Sequence, residues 1–297
     1  MEEILPHYIS DEDFVKSFQE ATTSTDYDRN VRDLVSQALS AFSNQNWDEL
    51  HETARKLHWV QMWDFALEAF TVVTRGKLNV FGKTNPTFKS TVSLADALRV
   101  TARNMDQDNC RRRRNDALSL FQEVLDGTQD ESLLQEAYMR LGSFYTDKGE
   151  YDAARSELGR AEEYKNTSKF QLAELRMSWI DIQTNEKQFG EASEAYGNLL
   201  EDLSESDDDR LIRKTVLVRY ANFLMNIKWK APGKAEDSML ERADLQRAHD
   251  MYHELCDVYG SMSDNADSKL AYLPIQVKDY RDRMRVVEER MKQLETK

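Results

Sequence analysis

Hydrophobic and polar positions alternate with a helical period along most of the chain. From Tyr138 to Ala161 apolar residues recur at three- and four-residue intervals, pause at Gly149 and then resume. Leu141, Gly142 and Tyr145 share one face of the first segment, and Ala154, Leu158 and Ala161 share one face of the second. The stretch therefore predicts a helical hairpin, with small residues where the two backbones approach closely. The pattern of the second segment is a small residue, a large one four later and an apolar one three after that. It recurs as Ala66-Phe70-Val73, Ala117-Phe121-Val124, Ala192-Tyr196-Leu199 and Ala248-Tyr252-Leu255, predicting five helix pairs. The alanines at 66, 117, 154, 192 and 248 are spaced by 51, 37, 38 and 56 residues.

Two uneven spacings coincide with punctuation. Gly76, Gly82 and Asn85-Pro86 break the stretch around 77–88, which predicts an inserted loop over residues 76–90. Lys228 to Asp237, containing Ala231-Pro232-Gly233, predicts a second long connection. The chain is thus divided into capping helices over 1–46, a first helix pair over 47–75, the inserted loop, further pairs over 91–260 and a closing helix within 261–297. The caps read as helices over Asp11 to Thr22, Tyr27 to Asn44 and Leu270 to Leu294, the last with Pro274 in its first turn. Trp47, Trp59, Trp63, Phe65 and Phe70 concentrate in the first pair, where they read as core of a terminal unit.

Tyr138, Leu141, Gly142, Tyr145, Gly149, Tyr151, Ala154, Leu158 and Ala161 make the segment resemble a tetratricopeptide repeat, whose regular period is about 34 residues. The resemblance is most specific over residues 130–203. It implies an all-α fold, a right-handed α-solenoid of about five such pairs with capping helices at both ends. It also implies that first helices line a concave groove. Met139, Arg140, Ser143 and Asp147 would face it from the best repeat, Met177 and Asp181 from the next, and Val218, Arg219, Asn222 and Met225 from the following one. These side chains stand open to two readings, partner contact or packing between helices. As contacts, the methionines suit an apolar peptide face, and Asp147 and Asp181 suit a partner with basic residues. The Lys, Asn and Arg set with which some members clamp a chaperone tail is absent, because Val218 and Glu136 stand where its lysines would be.

Composition narrows the function. The 297 residues are 40% hydrophobic with only 10 Gly and 4 Pro, which favours long helices over a β architecture. Against 54 acidic residues stand 40 basic ones, a net charge of −14 that opposes general binding to nucleic acid. Cys110 and Cys256 have neither zinc-ribbon nor disulfide spacing. An acidic start, with no basic-then-apolar leader and no apolar run of about 18 residues, leads to the expectation of a cytoplasmic, possibly also nuclear, protein without membrane insertion.

Four further features carry candidate chemistry. Arg111, Arg112, Arg113 and Arg114 form a basic run, read as lying just ahead of a helix that begins near Asn115, and fit either a solvated turn or contact with an acidic partner. His249, His253 and Cys256 are spaced for one helix face but bring no fourth metal ligand. Ser204 and Ser206 precede Asp207-Asp208-Asp209 in an acidic linker that resembles acidophilic kinase sites. No phosphate-binding loop, nucleophile elbow or kinase set is present. The expectation is a non-catalytic adaptor or scaffold that needs no cofactor and binds a peptide or helix of another protein. Self-association through the C-terminal helix, with Met284, Val287 and Met291 as its apolar seam, and a metal-dependent helical enzyme are the alternatives.

Overall fold

The structure, a computed structural model, describes residues 1, 4–5, 8–164, 168–203, 210–226, 235–264 and 273–295. These residues form thirteen α-helices and no strand. They fall into two compact units, Met1–Asn166 and Thr167–Lys297. The first holds α1 (Asp11–Thr23), α2 (Arg29–Ser43), α3 (Trp47–Trp59), α4 (Trp63–Phe81), α5 (Asn85–Thr101), α6 (Gln107–Gly127), α7 (Glu131–Lys148) and α8 (Tyr151–Glu162). The second holds α9 (Lys169–Asn185), α10 (Phe189–Glu201), α11 (Arg210–Asn226), α12 (Ala235–Asp264) and α13 (Leu273–Glu295). The acidic linker at 204–209, the connection at 228–234 and residues 270–272 lie outside the described residues, while 235–237 open α12.

Short polar side chains set the helix starts. Ser10, Asp28, Asn46, Asp106 and Asp130 each accept a hydrogen bond from a backbone N–H in the first turn that follows. Ser168 and Gln171 form a reciprocal capping box on α9. Four connections share one helix-ending geometry. At Gln45, Gln61, Gly149 and Lys187 the backbone turns left-handed, with φ of 52°, 63°, 76° and 66°. In each case the next residue's N–H reaches back five positions to a carbonyl: Asn46 to Ala41, Met62 to Leu57, Glu150 to Tyr145 and Gln188 to Gln183, at 2.8–3.0 Å. The left-handed residue itself donates three positions back, which completes a Schellman motif. Glycine makes such a turn without a Cβ penalty, yet only one of the four positions holds it.

Within each unit every helix packs on the next, and α5 also meets α7 as α9 meets α11. All fifteen residues of the five small-large-apolar triads are buried, from Ala66, Phe70 and Val73 to Ala248, Tyr252 and Leu255. Close approach is visible at Gly142, where a Cβ would lie 2.5 Å from Leu158 Cδ2. At the N-terminal end, Phe14, Phe18, Phe42 and Phe65 stack edge to face or tilted, and Phe70 is buried. Trp59 departs from the core reading: it is exposed, with Arg55 over its ring at 5.0 Å.

The loop expected over residues 76–90 does not form. Helix α4 continues to Phe81, and α5 starts at Asn85, leaving three residues between them. Gly76 lies inside α4, where an added Cβ would stand 2.7 Å from three ring carbons of Trp47, so its glycine serves packing and not a break. Gly82 caps α4 with φ of 63°, and Pro86 sits in the first turn of α5, where its missing N–H leaves no bond unmade. The 51-residue spacing thus comes from long helices: α4, α5 and α6 have 19, 17 and 21 residues.

Candidate partner-binding surfaces

The ten first-helix residues are divided between the units, Met139, Arg140, Ser143 and Asp147 in the first and the other six in the second. Met139 and Met177 are each only 1% exposed, so both methionines are core and offer no apolar surface to a partner. Their period places them on the side of the helix that the neighbouring helices cover. Ser143 donates to the carbonyl of Met139 within its own helix. Asp181 accepts from Arg219 at 3.0 Å, so this acid and this base satisfy one another. Asn222 accepts from the Tyr252 hydroxyl at 2.7 Å and from Arg283 at 2.6 Å, which ties α11 to α12 and α13. Met225 gives its carbonyl to Arg290 at 2.8 Å, and Val218 is half-buried.

Asp147 belongs to a charge cluster that the sequence did not mark. It accepts from Arg99 at 2.5 Å and from Arg103 at 2.6 Å, and Arg99 also bridges to Asp96 at 2.7 Å. Asp96 is buried; its desolvation would raise the carboxyl pKa, but the Arg99 and Arg140 charges outweigh that and hold it well below the usual range. Arg140 also faces Glu136 at 3.9 Å. Nearby, burial pushes His58 down to about 4 despite the charge of Asp96. His51, 3% exposed and hydrogen-bonded to Ser93 at 3.1 Å, is pushed by burial to about 3. Ion pairs link α5 to α7 and the neutral His51 hydrogen-bonds α3 to α5, so Asp147 is engaged internally here as Asp181 is with Arg219.

The basic run is placed differently from its expected position ahead of a helix. Helix α6 starts at Gln107, eight residues before Asn115, because Asp106 caps it by accepting from the N–H of Asn109 at 3.1 Å. The four arginines therefore lie in the second turn and beyond, pointing to different sides. Arg112 and Arg113 are near Tyr8, whose hydroxyl donates to Asp116 at 2.5 Å, and burial lowers the pKa of Arg113. The Nε and Nη1 atoms of Arg113 are out of water without an acceptor. Arg111 and Arg114 instead line a shallow groove of about 340 Å³ between α6 and α7, with Cys110, Leu118, Phe144 and Lys148. Among the described residues, none of the four arginines lies within 4.0 Å of a carboxylate, whereas Arg99, Arg213 and Arg290 elsewhere all do. Leu118, Phe144 and Lys148 were missed by sequence reasoning; the helical spacing of 110, 111, 114 and 118 was the available signal for α6, but nothing local points to α7.

The remaining candidates are engaged with side chains of their own unit. His249 Nε2 lies 3.3 Å from Glu288, and His253 Nδ1 lies 2.9 Å from Asp257. Among the described residues no group of three or more His, Cys, Asp or Glu side chains is arranged to hold a metal ion. Cys110 and Cys256 are free thiols, both half-buried. On α13, Val287 is buried while Met284 and Met291 are half-buried. No described helix is long and apolar enough to cross a membrane. Compared with known proteins, the chain matches no family model, no curated protein and no solved structure.

Proposed function

We propose that this chain is a tetratricopeptide-like repeat protein, a right-handed solenoid of about five helix pairs with capping helices. In this reading it acts as a non-catalytic adaptor or scaffold subunit that holds another protein. The observation that carries it is the recurrence of one building unit: five helices bury the same small-large-apolar triad, and four helix ends use the same left-handed turn. A repeated unit that cannot bury its own face alone gains stability by stacking and leaves extended surfaces, which is the physical basis of such proteins as binding platforms. Because Met139 and Met177 are buried and Asp147 and Asp181 are paired, the partner surface in this reading is the basic side of α6 and not the first-helix set.

The test is recovery of the tagged full chain from its native extract, followed by size-exclusion chromatography with light scattering. A protein partner that co-elutes in fixed stoichiometry is the expected result. Recovery of the chain alone as a monomer would refute the adaptor reading, and recovery as a homo-oligomer would favour the self-associating scaffold.

A further inference from the structure

We propose that the groove between α6 and α7 is a docking site for a short acidic segment of a partner protein, one carrying an apolar side chain among its carboxylates. This inference rests on the adaptor reading and names the chemistry of the partner.

Charge is the first argument. Arg111 and Arg114 are one turn apart on the groove side of α6, and no described carboxylate lies within 4.0 Å of either. They repel one another across one turn of the helix, which opposes stability. Several arginines elsewhere do pair with acids, as at Arg75 with Asp11, Arg176 with Asp202 and Arg290 with Glu241. A carboxylate brought between two guanidinium groups relieves the repulsion and forms charge-assisted, planar hydrogen bonds.

Shape and floor are the second. Half-buried Leu118 supplies the apolar surface, Phe144 backs it as a buried core side chain, and Lys148 lies 5.6 Å from the Phe144 ring and pairs with Glu150 at 2.8 Å, forming a polar rim. An apolar anchor set in a polar rim is the arrangement that concentrates binding energy in a few contacts. The acidic protein segment is favoured over a nucleic acid by the net charge of −14, since a long polyanion meets the field of the whole chain and a short segment meets mainly the groove.

The probe is a labelled synthetic peptide of Asp and Glu residues around one Leu, titrated by fluorescence anisotropy, with single-stranded poly(U) RNA as the second probe. Wild-type protein is expected to bind the peptide saturably, more tightly than RNA and more weakly as salt rises. Arg111→Glu/Arg114→Glu should weaken binding at least about tenfold. Lys16→Glu/Arg29→Glu, with the same change in net charge on exposed residues of α1 and α2, should change it less than about twofold. Leu118→Met, which keeps that half-buried position apolar, should retain peptide binding, and far-ultraviolet circular dichroism of every variant guards against loss of fold.

Equal losses from the two double variants would reduce the effect to net charge and overturn the groove, as would absent peptide binding or tighter binding of RNA. The same arginine variant used in native-extract capture separates the two levels. If a stoichiometric partner is still recovered, the groove assignment fails and the adaptor reading stands. If wild type recovers no partner and binds no peptide, both fail.

Discussion

Replacing Gln61 by glycine should make the protein more stable. Gln61 holds φ of 63° in the turn between α3 and α4, its side chain is exposed, and no described side-chain contact would be lost. The backbone bonds that define the turn, Gln61 N–H to His58 and Met62 N–H to Leu57, use main-chain atoms and survive the substitution. A residue with a Cβ is disfavoured in the left-handed region by about 1–2 kcal/mol. Glycine removes that penalty but brings a more flexible unfolded chain, which costs about 0.4–1 kcal/mol. The difference is a net gain of about 0.5–1 kcal/mol. Gln45→Gly should act likewise, and the two together should add, because they terminate different helices. The reciprocal change, Gly149→Ala, meets nothing nearer than the Tyr151 hydroxyl at 3.9 Å, so its cost of about 1 kcal/mol is purely conformational. Urea unfolding followed by far-ultraviolet circular dichroism measures both, with an unchanged m-value as the condition for comparing midpoints. A loss of stability in Gln61→Gly, or none in Gly149→Ala, would refute the shared left-handed turn.

Three other perturbations probe packing and charge. Gly142→Ala should destabilise by about 1–3 kcal/mol, since its Cβ would be driven against Leu158; combining it with Leu158→Ala should cost less than the sum of the single changes in a double-mutant cycle. Asp147→Ala strips one partner from Arg99 and leaves Arg103 without it, for an expected loss of about 2–3 kcal/mol; a urea midpoint equal to that of wild type would show that solvent replaces the pair freely. Acid should weaken the first unit, because the unfolded chain protonates His51 near its ordinary pKa of about 6.5 while burial keeps the folded imidazole neutral down to about 3. Stability present above pH 6.5 is therefore lost as pH falls, by about 2 kcal/mol at pH 5 from this residue. His51→Gln should flatten that slope in a pH series of urea midpoints, and an unaltered slope would exclude His51 as its source.

What the sequence determined by itself was local: that the chain is built of helices and which face of each carries the recurring apolar triad. The triad from Ala66 to Val73 and its four counterparts were legible because residues at i, i+4 and i+7 share a helix face whatever the neighbouring helix is. Charge and hydropathy likewise exposed the arginine run and the absence of an apolar membrane-length segment. Tertiary structure decided what those residues meet. Gly76 resembled a loop signal until Trp47, 29 positions earlier, was seen to fill the space its missing side chain leaves. Met139 and Met177 had the spacing of groove residues, but burial depends on helices distant in sequence that cover them. Three of the four left-handed turns carry Gln or Lys, because the stability of the surrounding helices can hold such a residue at positive φ, and nothing in its side chain announces it. The arginines too were visible as a run, and helical spacing separates Arg111 and Arg114 from Arg112 and Arg113, yet only the packing of α6 against α7 brought Phe144 and Lys148 to the first pair. A repeating local pattern specifies the helices; the energy of close packing between segments distant in sequence selects which polar and apolar groups remain available to a partner.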